Sequence, residues 1–323
     1  MSILETVSVV IPVFGRDDVM RTVAFLLAQE YADKLRIVVV DNGNAPELSG
    51  RIAELKQANV QVVRLEENLG GSGGYIAGVE YCMREHQDTE IIWTLDDDAV
   101  PNAETLPRLV EVFRDRIKAG GKIASVGSVE VRLDDGDSIL ECGADFTGMR
   151  GVICRYKNER LQDHVDEVVT VGYNSGASAI VNKAAVRECG FWENVFIHLD
   201  DVEWGIRTTR RGWVNLATTK SVVRHPVVTG FAVRNWIAYY DTYNNLWICA
   251  KHFKLWFAII LTRVIIADIR NVLYRGFSPC GVYLFLARLD FLFGHRRLRK
   301  DIAPAIERLE NRLRRWGRVK VDK

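Results

Sequence analysis

Several familiar signatures are missing from this chain, and each absence narrows what it can be. The six cysteines, Cys82, Cys142, Cys154, Cys189, Cys249 and Cys280, include no CxxC pair. Neither a disulfide framework nor a zinc site is indicated, and a reducing compartment fits best. Net charge is nearly absent, at +1 over 323 residues, which gives no support to a chain-wide polyanionic partner. The opening residues Met1 to Thr6 lack a basic n-region, and Pro12 interrupts the apolar run that follows; no signal peptide is expected. The longest apolar stretch, 255–267, is broken by Arg263 and is too short for the roughly 20 residues of a spanning helix. A cytoplasmic location is therefore expected. No internal repeat or low-complexity tract stands out.

What is present is a globular composition, 48% hydrophobic, enough for one large core with or without an appendage. Short β-branched runs at 7–11, 36–40, 60–65 and 91–95 alternate with helical patterns, as at Val19, Val23 and Leu26. That alternation predicts a mainly parallel sheet with helices on both faces. In such α/β sheets the ligand lies beyond the carboxyl ends of the strands. Those ends read Pro12 to Arg16, Asp41-Asn42-Gly43-Asn44, Glu67-Asn68-Leu69-Gly70-Gly71 and Asp96-Asp97-Asp98. Turn formation accounts for any one of these clusters; their convergence on one edge favours a site. Further strands are expected at 123–129, 168–171 and 177–181, then a helix over 201–211 stopped by Gly212. From about residue 230 the texture becomes long, aromatic and basic, placing a boundary between 1–230 and a helical region at 231–323.

Three kinds of residue carry chemistry. Asp96-Asp97-Asp98 directly follows an apolar strand, where burial and mutual repulsion raise carboxyl pKa values unless a cation intervenes. Mg²⁺ or Mn²⁺, which favour oxygen ligands and substrate phosphates, resolve that conflict; a helix-capping turn is the alternative. The glycines from Asn68 to Gly74 open a helix and admit close backbone approach, as at phosphate-binding helix N-termini. They match neither GxxxxGK[ST] nor the G-x-G-x-x-G expected after the first strand of a nicotinamide-dependent oxidoreductase, which weakens that reading. Asp200 and Asp201 open the later helix, where ionised acids are favoured and one can serve as a general base; capping is again the alternative. His225 could add a metal-ligating nitrogen.

Taken in order, these motifs resemble family 2 glycosyltransferases of the GT-A fold, closest to their galactofuranosyltransferase branch, over roughly residues 7 to 250. The most specific pieces are Asn68 to Gly74, Leu95 to Asp98, Phe196 to Asp201 with Gly205 and Arg207, and His225. The resemblance implies a Rossmann-like nucleotide-sugar-binding domain followed by the helical region. It assigns Pro12, Phe14, Arg16 and Asp41 to the nucleoside, with Asn68, Gly70, Gly71 and Asp97 lining the nucleotide and sugar. It gives Asp96, Asp98 and His225 to the metal (Mn²⁺ or Mg²⁺), Asp201 to the catalytic base, and Asp200 and Trp204 to substrate. Implied partners are a UDP-sugar donor and a bacterial surface glycan on a lipid carrier, with no nucleic acid and homo-oligomers left open. UDP-galactofuranose is the first donor expected, dTDP-rhamnose the second. A binding protein without turnover is the alternative of a different class. Where the polymerising members of that branch carry paired tryptophans, this chain reads Tyr173-Asn174-Ser175-Gly176-Ala177, and it is shorter than they are.

In the last region Trp236, Tyr239, Tyr240, Tyr243 and Trp247 recur at helical spacing, and cations concentrate between residue 288 and the end. Contact with the cytoplasmic face of the inner membrane and helix packing are the two readings.

Overall fold

The computed structural model describes residues 5–43, 46–54, 57–148, 151–227, 235–275 and 279–295, together with Ile302 and Arg308. The elements run β1 (Val7–Val13), α1 (Asp18–Leu27), β2 (Leu35–Asp41), α2 (Pro46–Glu54), β3 (Val60–Arg64), α3 (Gly70–Glu85), β4 (Ile91–Leu95), β5 (Val100–Pro101), α4 (Thr105–Lys118) and β6 (Ile123–Arg132). They continue as β7 (Ile139–Glu141), β8 (Ala144–Thr147), β9 (Gly151–Cys154), β10 (Val168–Val171), β11 (Ser178–Asn182), α5 (Lys183–Cys189), α6 (Asp200–Arg210), β12 (Val214–His225), α7 (Asn235–His252), α8 (Lys254–Arg275) and α9 (Pro279–Leu292).

The main sheet follows the order β10-β12-β6-β11-β4-β1-β2-β3. β1 pairs in parallel with β2 and with β4, and β2 with β3. The antiparallel β11 bridges β4 to β6. This is the expected mainly parallel sheet, and its inner strands β1, β2 and β4 are buried almost throughout because both faces are covered. Along β1, Val7, Val9 and Ile11 pack with Val19, Val23 and Leu26 of α1 and with Leu106, Leu109 and Phe113 of α4. The intervening Val10 joins Val79 and Cys82 of α3 on the opposite face. A period of two with apolar residues at both phases is what a doubly covered strand requires.

Some boundaries move by one to three residues: β6 extends to Arg132, and α6 covers 200–210 with Gly212 at φ +78° just beyond. β5, β7, β8 and β9 fall outside the sequence expectations. β5 has only two residues, and the irregular stretch after β6 shows no apolar alternation long enough to register.

Chain contacts divide the molecule into two units. The first holds residues 1–146, 152–196 and 200–227; the second holds 147–151, 197–199 and 228–323. Residues 228–234, where the expected boundary falls, lie outside the described residues, as do the basic runs at 296–300 and 312–323. Within the second unit the stripe from α7 packs inward. Tyr239, Tyr240 and Tyr243 are buried, and the Tyr239 hydroxyl donates to Asp290 Oδ2 of α9 at 2.9 Å. For these tyrosines helix packing is the outcome.

Two close approaches fix the helices nearest the strand ends. Gly78 of α3 lies where a Cβ would be 2.3 Å from Val10 Cγ1, and Gly205 of α6 where one would be 2.4 Å from the Gly172 carbonyl oxygen. That carbonyl also accepts from Asn215 Nδ2 at 3.1 Å, so it has little freedom to yield. Gly205→Ala is therefore expected to destabilise the fold by about 1–3 kcal/mol, measured by urea unfolding.

Candidate functional site

The carboxylate triplet is held by backbone on both sides. Asp96 N donates to Ala177 O at 3.2 Å, and Thr22 Oγ1 of α1 donates to Asp97 O at 3.0 Å. Immediately after the triplet, β5 pairs antiparallel with the end of β12, setting Pro101 opposite Val223 and Val100 opposite Arg224. The next residue of β12 is His225, which that pairing delivers to the acids. Ligand atoms of Asp96, Asp98 and His225 lie within 4.8 Å of one another. His225 Nδ1 is 3.0 Å from Pro226 O, an acceptor only, so Nδ1 carries the proton of that bond. Nε2 then faces Asp96 Oδ2 at 3.5 Å and Asp98 Oδ1 at 3.3 Å, buried and without a hydrogen-bond partner. Two carboxylates and an imidazole oriented through its other nitrogen fit a divalent cation such as Mn²⁺ or Mg²⁺.

The electrostatics point the same way. Burial opposes protonation of His225, but the carboxylates of Asp96, Asp98 and Glu130 around it push its pKa up to about 11. Burial raises the Asp97 carboxyl to about 7; Arg16 opposes the rise, while Asp98 and Asp96 add to it. Asp98 is also penalised by burial, yet His225 and Arg16 hold it below the usual carboxylate range. Arg16 lies 3.5 Å from Asp97 Oδ1 and pairs with Asp98 Oδ2. In this arrangement imidazolium and guanidinium supply the positive charge that a bound cation would otherwise provide. Tyr75 of α3 donates its hydroxyl to Asp96 Oδ1 at 2.6 Å, fixing that carboxylate.

A second set of acids adjoins the first. Asp201 is the second residue of α6, and its Oδ1 accepts from Val202 N at 2.7 Å. Burial, then Asp200 and Glu141, hold its carboxyl well above the usual range. Glu130 of β6 and Glu141 of β7 face each other across paired strands. Burial raises both, Glu141 to about 7 with Glu130 adding to the rise. Glu130 also interacts with His225 and Asp96, linking the two sets. Sequence reasoning missed Tyr75, Glu130 and Glu141. Tyr75 follows the glycine run directly, but an acid within an irregular strand carries no local mark.

The other expected residues distribute as follows. Pro12 lies near the end of β1 under Gly74, Phe14 is exposed just past the strand, and Asp41 is buried at the end of β2 with Arg64 Nε 3.4 Å away. Asn68 Oδ1 accepts from Gly70 N at 2.8 Å. Asn42 ties the end of β2 to the start of α3, accepting from Leu69 N and donating to Gly70 O. Gly70, at φ +75°, faces the Phe196 carbonyl, where a Cβ would be 1.9 Å from the oxygen. Gly73 and Gly74 are likewise filled from outside by Leu69 and Pro12; a Cβ on Gly71 would meet nothing within 4 Å. The run therefore serves close packing as much as ligand approach. Asp200 is buried at the start of α6. Before it, Phe196, His198 and Leu199 all take positive φ, of 74°, 62° and 67°, backbone strain of the kind that collects at functional sites. Trp204, expected at the substrate, has its ring buried in the core with Phe191, and its indole N–H donates to Gly190 O at 2.8 Å.

Two outcomes follow from this geometry. Tyr75→Phe removes the hydrogen bond orienting Asp96 and is expected to weaken Mn²⁺ binding about ten- to a hundredfold, read by calorimetry. Glu141 has a folded-state pKa near 7, above the roughly 4.3 of an unfolded glutamate. The native state therefore binds the extra proton in that window, and stability falls as pH rises through it. Glu141→Gln should flatten this loss, by roughly 2 kcal/mol between pH 5 and 8, measured by urea unfolding without metal.

The family model described as glycosyl transferase family 2 matches residues 8–188, more than half of the chain, taking in Asp96 and Asp98 but ending before Asp201 and His225. A galactofuranosyltransferase GlfT2 of Mycolicibacterium smegmatis is 23% identical over 313 residues, covering 90% of this chain but only 48% of the relative, so the chain spans about half of that protein's length. Among solved structures, the mannosyltransferase PcManGT from Pyrobaculum calidifontis, in complex with GDP-Man and Mn²⁺, superposes with a TM-score of 0.55 at 15% identity, over 90% of this chain and 88% of that one. GalNAc-T7 with UDP, GalNAc and Mn²⁺ gives 0.58 at 17% identity, over 79% and 50%. Both likenesses are of fold, and with the sheet order and the matched segment they establish that this chain belongs to glycosyl transferase family 2 and has the GT-A fold.

Proposed function

We propose that the chain is an inverting, metal-dependent glycosyltransferase that moves a hexose from a nucleotide diphosphate donor to an acceptor hydroxyl. The convergence of Asp96, Asp98 and His225 beyond the strand ends, with Asp201 in the adjoining acidic set, carries this reading. Galactofuranose from UDP-galactofuranose is the favoured donor sugar, supported by the galactofuranosyltransferase relative and by the glycine run from Asn68 to Gly74. The acceptor fitting this reading is a bacterial surface glycan on a lipid carrier.

Mn²⁺ or Mg²⁺ held by Asp96, Asp98 and His225 would neutralise charge developing on the departing diphosphate. Tyr75 keeps Asp96 oriented toward that position. Asp41, Pro12, Phe14 and Arg16 border the nucleoside, with Arg16 able to leave Asp97 and Asp98 for a phosphate oxygen. Asn68, Gly70 and Gly71 lie along the nucleotide, and Asp200 takes a sugar hydroxyl. The Asp201 carboxylate accepts the acceptor's proton, and in-line attack inverts the anomeric centre. Burial beside Glu141 and Asp200 makes Asp201 a stronger base than an exposed aspartate,.

A donor screen tests the reading directly, following nucleotide release from UDP-galactofuranose, UDP-galactopyranose and dTDP-rhamnose with and without Mn²⁺ or Mg²⁺. Metal-dependent release from UDP-galactofuranose alone is expected. Asp201→Asn should lower turnover by about 10² to 10⁴ while nucleotide binding by calorimetry persists. Release from none of the donors, or undiminished turnover in the variant, overturns the assignment.

A further inference from the structure

In the second unit an apolar surface has no covering among the described residues. Leu255 is 93% exposed, Trp256 56% and Ile266 58% along α8, and Phe293, just past α9, is 72% exposed. The α8 residues are not scattered. Leu255, Ile259, Thr262 and Ile266 follow one another at four, three and four residues and form a single stripe. Beside it, Trp256, Arg263 and Arg270 recur every seven residues and are likewise exposed. The opposite side of the helix is the packed one: Ile260 is buried, and the Phe257 ring lies 5.8 Å from that of Phe291 in α9. The same contact brings the end of α9, with exposed Leu292 and Phe293, beside the start of α8.

Charge identifies what this surface suits. Between Asp241 and Asp268 the sequence has no acidic residue, while Lys251, His252, Lys254 and Arg263 fall in that interval. Exposed leucine and isoleucine flanked by Trp256 and Arg263, with no acid before Asp268, match a layer that is apolar below and anionic above. The long stems of Arg263 and Arg270 can follow the apolar stripe while their guanidinium groups reach headgroup phosphates. No helix among the described residues is long and apolar enough to cross a membrane, so contact of α8 with lipid would run along the surface rather than through it.

We propose that the outward face of α8, with the end of α9, docks on an anionic lipid bilayer, Leu255, Ile259 and Ile266 entering the acyl boundary and Arg263 and Arg270 pairing with lipid phosphates. The proposal stands independently of the donor and the chemistry. If the acceptor is lipid-linked, this surface brings the enzyme to it.

The test is co-sedimentation of the full chain with vesicles of phosphatidylglycerol and phosphatidylcholine, against phosphatidylcholine alone, at low and high salt. Binding to the anionic vesicles, weakened by salt, is expected. Leu255→Ser with Ile266→Ser should reduce partitioning at least about tenfold, and Arg263→Gln with Arg270→Gln about tenfold or more. Both pairs are exposed, and thermal melts matching the parent check that they fold. No binding at low salt, or undiminished binding by the Leu255/Ile266 variant, overturns the proposal. So does a dimer in analytical ultracentrifugation that this variant dissociates, with no vesicle binding, since a second copy would then be the occupant. Nucleotide-sugar turnover is not read in these measurements, so their failure leaves the catalytic assignment untouched.

Discussion

The crowding of carboxylates beyond β4 is the constraint around which the first unit is organised. Three successive aspartates at the end of a fully buried strand repel one another in a medium that screens poorly. Left alone they would protonate or spread apart. Here they are fixed instead, Asp96 by the Tyr75 hydroxyl, and Asp97 through its carbonyl by Thr22. His225 and Arg16 stand against the outer acid, Asp98. A site that concentrates negative charge and holds it rigid is preorganised for a cation: its rearrangement cost is met by folding, not by binding.

Supporting that arrangement calls for close backbone approach. α3 lies tight on β1 because Gly74 and Gly78 leave room for Pro12 and Val10. This seats Tyr75 where its hydroxyl reaches Asp96. α6 lies equally tight on the end of β10 through Gly205, and the buried Glu203–Arg207 pair anchors it to the preceding loop by way of the Phe191 carbonyl. Asp201 is thus mounted on a helix with few ways to move. Glu130 and Glu141 extend the acidic set from Asp96, Asp98 and His225 toward Asp201, giving its carboxyl a neighbourhood that raises its proton affinity.

Much of this was legible beforehand because it is local. Apolar runs covered on both faces specify β1 to β4, and the parallel order follows from the helices between them. The polar groups at their ends were then bound to share an edge. Asp201 and Gly212 mark the start and stop of α6 within a residue or two. Trp204 shares a helix face with Asp200 and Asp201, four and three positions before it, yet spacing alone does not say how deep its ring sits: it packs into the core with Phe191.

The sequence by itself determined the sheet, the acidic strand end and the basic, aromatic character of the last helices, since each rests on residue type and short-range periodicity. Only the tertiary structure decided that His225 joins Asp96 and Asp98. That depends on two residues of β5 pairing with the end of β12, a contact more than a hundred positions apart in the chain. The same holds for Glu130 facing Glu141 and for Tyr75 reaching Asp96. In each case the partner is chosen by strand pairing or helix packing, and no pattern within a single segment carries that information.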